Sequence, residues 1–79
     1  MSDAKQDDIN HPSHYTQGSI ECIDAIAEVV KDMKGMDAVD TANAMKYMWR
    51  WPHKNGSKDV RKAIWYMVDL VKRLEAEGR

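Results

Sequence analysis

Apolar residues recur every three or four positions in three stretches of the chain, which is the spacing of an α-helix. We predict helices over 19–34, 38–51 and 57–76. Residues 1–9 are polar and show no apolar period, so we expect them to be disordered. The remaining 10–76 then form a single domain. The predicted fold class is all-α: a small three-helix domain behind an ordered N-terminal loop, with no sheet.

Residues typical of helix ends lie at the predicted boundaries. Ser19, Asp37 and Ser57 are good N-cap residues for the three helices, because their side-chain oxygens can accept hydrogen bonds from exposed backbone N–H groups. Gly35 is a typical helix stop, and Pro52 ends the second helix because it cannot continue the hydrogen-bond pattern.

Large apolar side chains are too numerous for a three-helix monomer to cover, so we predict a homo-oligomer. The surplus consists of Met36, Met45, Met48, Trp49, Trp51, Trp65 and Met67. The third predicted helix carries an apolar stripe that we interpret as its core-facing side. The stripe consists of Val60, Ala63, Ile64, Met67, Val68, Val71 and Leu74.

Charge is distributed unevenly along the chain, although the net charge is only −1. Residues 1–40 hold three Lys against nine Asp or Glu, a balance of −6, whereas 41–66 hold six Lys or Arg against one Asp, a balance of +5. A concentrated basic centre favours a local anionic ligand over nucleic acid, which usually needs a broad positive surface. Alternatively, the acidic first half neutralises the basic centre within or between subunits.

Nothing in the sequence indicates an oxidising compartment or a membrane. Cys22 is the single cysteine, so no intramolecular disulfide can form. The chain lacks an apolar stretch long enough to span a bilayer, and its first residues lack the basic start and apolar run of a signal peptide. We expect a soluble cytoplasmic protein with no membrane partner.

One face of the second predicted helix has the chemistry of an anion-binding site. Asn43, Lys46, Tyr47 and Arg50 follow one another at i, i+3, i+4 and i+7, which places an amide, an ammonium, a phenol and a guanidinium side by side. The alternative is that the two basic side chains only extend from a core or interface towards water and neighbouring carboxylates.

The start of the third helix adds to this basic face. A short turn joins the two helices, so they should be antiparallel neighbours, with Lys58 and Lys62 close to Arg50. The N-terminus of a helix also attracts phosphate through its exposed N–H groups.

The loop before the first helix carries two imidazoles and a phenol: His11, His14 and Tyr15. These groups can hydrogen-bond phosphate oxygens or stack on a base. A structural clamp over the helices is the competing interpretation. We predict no metal site, because the next histidine, His53, is distant in sequence.

Carboxylates on the first helix have the spacing of a magnesium site. Glu21, Asp24 and Glu28 lie at i, i+3 and i+7, as in helical nucleotide pyrophosphohydrolases. A second acidic pair is missing, since Asp59 and Asp69 are ten residues apart. We therefore interpret this face as exposed, or as pairing with the basic face.

Four segments together resemble a known family, and they span residues 10–70. They are Asn10–Tyr15, Gly18–Asp24, Asn43–Tyr47 with Trp49–Arg50, and Lys58–Asp59 with Lys62–Tyr66. They look like a small phage-encoded domain family of unknown function, whose members are often labelled nucleotide kinase because a phage deoxynucleoside monophosphate kinase contains a similar domain. After Arg50, Trp51–Pro52 stands where family members commonly have small residues. A Gly-rich phosphate loop is missing from the sequence.

The residue patterns and the resemblance together leave three alternative hypotheses for the function. The favoured one is a nucleotide-binding or phosphate-binding module of nucleotide metabolism, whose catalytic residues are unknown and which would need Mg²⁺ if it transfers a phosphoryl group. The second is a non-catalytic counter-defence or host-takeover protein in the host cell cytoplasm, which sequesters a signalling nucleotide or binds a host protein. The third is a structural oligomer. The predicted ligand-binding residues are His11, His14, Tyr15, Asn43, Lys46, Tyr47, Arg50, Lys58 and Lys62.

Overall fold

The computed structural model describes residues 16–17 and 19–79, and it confirms a small all-α fold with three helices. Two short strands come first, β1 (Thr16–Gln17) and β2 (Ile20–Glu21). The helices are α1 (Cys22–Val30), α2 (Gly35–Arg50) and α3 (Ser57–Ala76), with a 3-10 turn (Trp51–His53) after α2. The predicted disordered segment 1–9 lies outside the described residues, as does nearly all of the predicted loop.

The chain enters α1 through a minimal antiparallel pair. Thr16 lies opposite Glu21, and Gln17 lies opposite Ile20. Because Ile20 and Glu21 are extended, α1 begins at Cys22, and Glu21 occupies the N-cap position with φ −85° and ψ 144°. The predicted cap at Ser19 is therefore wrong. The pair is two residues long on each side and adds no layer to the fold.

The connection between α1 and α2 lies earlier in the chain than the sequence predicts, over residues 31–34. α1 ends at Val30, whose carbonyl accepts a hydrogen bond of 2.9 Å from the N–H of Met33. Gly35 has a φ of +57° and is the first residue of α2, so it does not serve as the end of α1. A left-handed φ suits glycine because it has no Cβ. α2 thus starts three residues earlier than predicted, and Asp37 lies in its first turn instead of capping it.

The turn between α2 and α3 places these helices side by side. The N–H of Gly56 donates to the carbonyl of Trp51 at 3.0 Å, which closes the turn. α3 then runs over the predicted residues, although Gly56, with a φ of +51°, occupies the N-cap position in place of the predicted Ser57. α2 packs mainly against α3, and α1 packs against α2.

Charged residues outnumber apolar ones at the most deeply buried positions of the described chain. Among the described residues, the apolar side chains that are almost fully enclosed are Cys22 and Ala63. Three charged residues are buried with them: Asp40, Arg50 and Asp59. Burying a charge is costly unless it is paired, so these residues must have partners of opposite sign.

The predicted core stripe of α3 is largely wrong. Ala63 is buried, and Val60 and Leu74 are half-buried, as expected of a core face. Its other members are exposed, namely Ile64, Met67, Val68 and Val71. The face that packs against α2 instead carries Asp59, Ala63, Tyr66 and Arg73. The apolar period of α3 thus marks mainly the side that faces away from the other described helices.

Arg73 links the C-terminal half of α3 to α2. Its guanidinium donates to Asp40 at 2.8 Å, to Asp37 at 3.2 Å and to Asp69, one turn earlier on α3, at 3.0 Å. Burial, and then the nearby Asp69 carboxyl, raise the pKa of Asp40. Asp37 also accepts from Arg79 at 2.8 Å, on the surface.

None of the described helices is long and apolar enough to cross a bilayer.

Candidate anion-binding site

Two tyrosines join the C-terminal half of α2 to the N-terminal half of α3. The rings of Tyr47 and Tyr66 are stacked, with centroids 6.0 Å apart and an interplanar angle of 12°. Trp65 meets Tyr66 edge to face at 5.1 Å. Offset aromatic pairs of this kind stabilise a helix contact beyond the area they bury. They provide a rigid support for the charged groups around them.

Three cationic side chains converge on the ring of Tyr47. Lys46 Nζ lies 4.5 Å from the ring centroid, Arg50 Cζ lies 4.7 Å from it and Lys62 Nζ lies 5.3 Å from it. All three distances are within the range of cation–π attraction. We call Lys46, Tyr47, Arg50, Lys62 and Tyr66 the basic-aromatic cluster. The structure therefore brings together residues that the sequence placed on two different predicted helices.

Within the cluster, Arg50 is buried and bound to Asp59. Its Nε and Nη2 donate to the two carboxylate oxygens of Asp59 at 3.2 and 3.1 Å, a bidentate pair. Asn55 also donates its backbone N–H to Asp59 at 3.2 Å. The hydrogen bond from Arg50 is the largest of the contacts that lower the pKa of Asp59. Arg50 thus pairs with a carboxylate of its own chain, but with Asp59, which lies outside the acidic first half that the sequence suggested as its partner.

Lys46 and Lys62 differ from Arg50 in this respect. Neither lysine forms a salt bridge with a residue in the described part of the chain. Lys46 is half-buried, and Lys62 is exposed. Lys46 also lies close enough to Cys22, at the start of α1, to lower the pKa of its thiol, although burial has the larger effect and raises it. The two ammonium groups leave positive charge at the surface of the cluster.

The other predicted ligand residues are less closely grouped. The amide nitrogen of Asn43 donates to the carbonyl of Val39 at 2.9 Å, one turn earlier on α2. Lys58 is exposed, one turn before Lys62 on α3. The remaining predicted ligand residues lie outside the described residues: they are His11, His14 and Tyr15.

The sequence reasoning missed two members of this region, Asp59 and Tyr66. Asp59, Lys62, Ala63 and Tyr66 occupy positions i, i+3, i+4 and i+7 of α3, and therefore share a face. This spacing can be recognised in the sequence and could have identified the inward face of α3. The stronger apolar periodicity on the other side of the helix instead favoured that side as the core face.

The described carboxylates do not converge on a cation site. Across 16–17 and 19–79, no group of three or more His, Cys, Asp or Glu side chains is arranged to hold a metal ion. On α1, Asp24 is exposed, and Glu28 forms a surface ion pair with Lys31. The acidic face of α1 is thus exposed in part.

Comparison with known families matches residues 9–68 to one family model, which covers most of the chain. The chain belongs to the DUF3310 family. That family is described as a protein of unknown function. No curated protein matches the chain, and no solved structure matches it. The matched range contains every member of the basic-aromatic cluster, whereas Arg73 and its end of α3 lie beyond it.

Proposed function

We propose that this chain binds a phosphorylated small molecule, a nucleotide, at the basic-aromatic cluster. The observation that carries the proposal is the convergence of Lys46 and Lys62 beside one tyrosine ring without an acidic partner in the described part of the chain. Both ammonium groups lie within 5.3 Å of the same ring centroid, and a bound anion lowers the energy of like charges that lie near each other. A phosphate group has the charge and the acceptor oxygens to bridge both ammonium groups.

Each member of the cluster has a role in this proposal. Lys46 and Lys62 bind phosphate oxygens, and Lys58 adds positive potential from one turn earlier on α3. Tyr47 holds the cations in position through its ring, and its own position is fixed by the stack with Tyr66. Arg50 contributes mainly by fixing Tyr47, because two of its nitrogens already donate to Asp59.

The remaining predicted residues complete the ligand contacts. Asn43 lies one turn before Tyr47 and retains its carbonyl oxygen as an acceptor for a sugar or base. His11, His14 and Tyr15, which lie outside the described residues, are proposed to contact the base or sugar. The context of this binding is phage nucleotide metabolism, as the resemblance implies. The alternative is a phage protein that sequesters a signalling nucleotide of the host or binds a host protein.

Calorimetric titration with mono-, di-, tri- and cyclic nucleotides tests the proposal. Lys46→Ala and Lys62→Ala each remove a charge-assisted hydrogen bond, which should weaken binding by about 1.5 to 3 kcal/mol, or from roughly tenfold to somewhat more than a hundredfold. Lys34→Ala is the matched control, because this exposed lysine precedes α2 at the end far from the cluster. It should bind like the parent. Full affinity in both cluster variants, or no binding of any nucleotide by the parent, would refute the proposal.

Two further measurements separate the versions of this function. Binding to exposed lysines should weaken as ionic strength rises, because salt screens exposed charges. Turnover of the bound nucleotide in the presence of Mg²⁺ and an acceptor would identify a phosphotransferase. Binding without turnover would favour sequestration.

A further inference from the structure

The outward side of α3 carries a narrow apolar stripe with a charge at each end. Ile64, Val68 and Val71 are 49%, 44% and 50% exposed. Arg61 lies one turn before this stripe, and Glu75 lies one turn after it. We call these five residues the α3 seam. Their spacing alternates between three and four, which is the repeat by which one helix packs along another.

The α3 seam is directed away from the other described helices. The opposite side of α3 carries Asp59, Ala63 and Tyr66, which contact α2 or lie buried against it. A shallow surface groove runs along the seam, bordered by Trp65 and Lys72. No element in the described part of the chain covers these side chains. The apolar positions of the longest helix thus have no partner within the described residues.

We propose that the α3 seam binds the α3 seam of a second copy of this chain, with the two helices antiparallel. A two-fold axis near Val68 then places Ile64 of each copy close to Val71 of the other. It also places Arg61 of each copy near Glu75 of the other, so that both ends of the contact pair opposite charges. A parallel arrangement would place like charges together at both ends, which is destabilising.

The charged ends support this occupant over an unrelated partner. Neither Arg61 nor Glu75 forms an ion pair within residues 16–17 and 19–79. Their signs are opposite, and they are nearly equidistant from Val68, as a self-complementary surface requires. From Arg61 to Glu75 the helix spans about 21 Å, at 1.5 Å per residue. Trp65 and Met67, which are 63% and 43% exposed, flank the seam and widen the contact.

The mass of the full chain in solution is the first test. Light scattering at about 100 μM should give a mass of two chains of 9.1 kDa each. Val68→Glu places two carboxylates side by side at the two-fold axis and should weaken dimerisation at least tenfold. Val29→Glu is the matched control, because Val29 on α1 has a similar exposure of 47%. It should leave the dimer intact.

Reversing the charges of Arg61 and Glu75 provides a second test of the dimer, which does not depend on whether Val68→Glu folds correctly. Arg61→Glu and Glu75→Arg each place like charges together and should shift the equilibrium towards monomer. The double variant restores opposite charges with the signs exchanged, and should recover the dimer. A mass other than two chains for the parent, equal dissociation by Val29→Glu, or no rescue in the double variant would overturn the proposal.

Discussion

The guanidinium of Arg50 serves two contacts at once. It forms a bidentate pair with Asp59, and its Cζ lies 4.7 Å from the centroid of Tyr47. Lysine offers a single ammonium and cannot reproduce the planar fork. The two contacts therefore depend on arginine in particular, and they couple the stability of the fold to the shape of the basic-aromatic cluster.

Arg50→Ala should destabilise the fold far more than Lys62→Ala. It leaves Asp59 buried without its cationic partner, which costs about 3 to 5 kcal/mol. Arg50→Lys should recover only part of that loss. Urea denaturation monitored by circular dichroism measures all three variants, and an Arg50→Ala midpoint equal to that of Lys62→Ala would contradict the assigned role of the pair.

The sequence predicts which side chains form the basic-aromatic cluster better than it predicts which of them form ion pairs. Helical spacing alone places Lys46, Tyr47 and Arg50 on one face, and the short turn brings Lys62 towards them. The choice of acid for Arg50 is different, because spacing cannot rank Asp59 against carboxylates on another helix. That choice depends on the rotation of α3 about its axis, which only tertiary packing determines.

Among the elements, α3 and α2 are joined at their far end by Arg73. Arg73→Ala removes hydrogen bonds to Asp37, Asp40 and Asp69 together, and it leaves Asp40 fully buried without a cation. Arg79→Ala removes a pair with Asp37 that is open to solvent, and exposed pairs contribute little. We expect the urea midpoint to fall at least about twice as far for Arg73→Ala. Equal effects would show that the α2–α3 contact does not depend on this network.

The junction between α2 and α3 should be sensitive to acid. The bond from Arg50 holds the pKa of Asp59 below its ordinary value of 3.8, so the unfolded chain binds a proton more readily than the folded chain. The stability that Asp59 contributes is therefore present above pH 3.8 and is lost as the pH falls through the lower, folded-state pKa. Asp59→Asn should be less stable at neutral pH and should lose less stability between about pH 5 and 2. Urea titrations across that range compare the slopes, and parallel curves would contradict the prediction.

The bounds of α3 were predictable, but its buried face was not. The turn residues before Ser57 and the long apolar period fix the helix over 57–76. Apolar period normally marks the core side, but here the inward positions include Asp59, Tyr66 and Arg73. Paired charges and a stacked ring satisfy that interior. The stronger apolar periodicity of α3 marks the α3 seam. A helix that packs against a second copy of the chain would have the same pattern in its sequence.

For the whole molecule, folding and association should be linked. The surplus of large apolar groups that the sequence indicates persists in the structure, where Met36, Met48, Trp51, Trp65 and Met67 are exposed. If a second copy covers the α3 seam, binding stabilises the folded state by mass action. The melting temperature should therefore rise with protein concentration between about 1 and 100 μM, and Val68→Glu should abolish that rise. Scanning calorimetry measures both, and a concentration-independent melting temperature in the parent would contradict the linkage.

The ionic interior also bears on how stability changes with temperature. The heat capacity of unfolding increases with the apolar surface that becomes hydrated, and polar surface lowers it. Asp40, Arg50 and Asp59 are buried while many large apolar side chains are exposed, so we expect a small heat-capacity change of unfolding for a chain of this length. Its free energy of unfolding therefore follows a shallow curve, and cooling weakens the single chain little. If a second copy covers the α3 seam, unfolding of the pair exposes more apolar surface, and its free energy of unfolding varies more strongly with temperature. Resistance to heat and sensitivity to cold would then both be properties of the assembled pair.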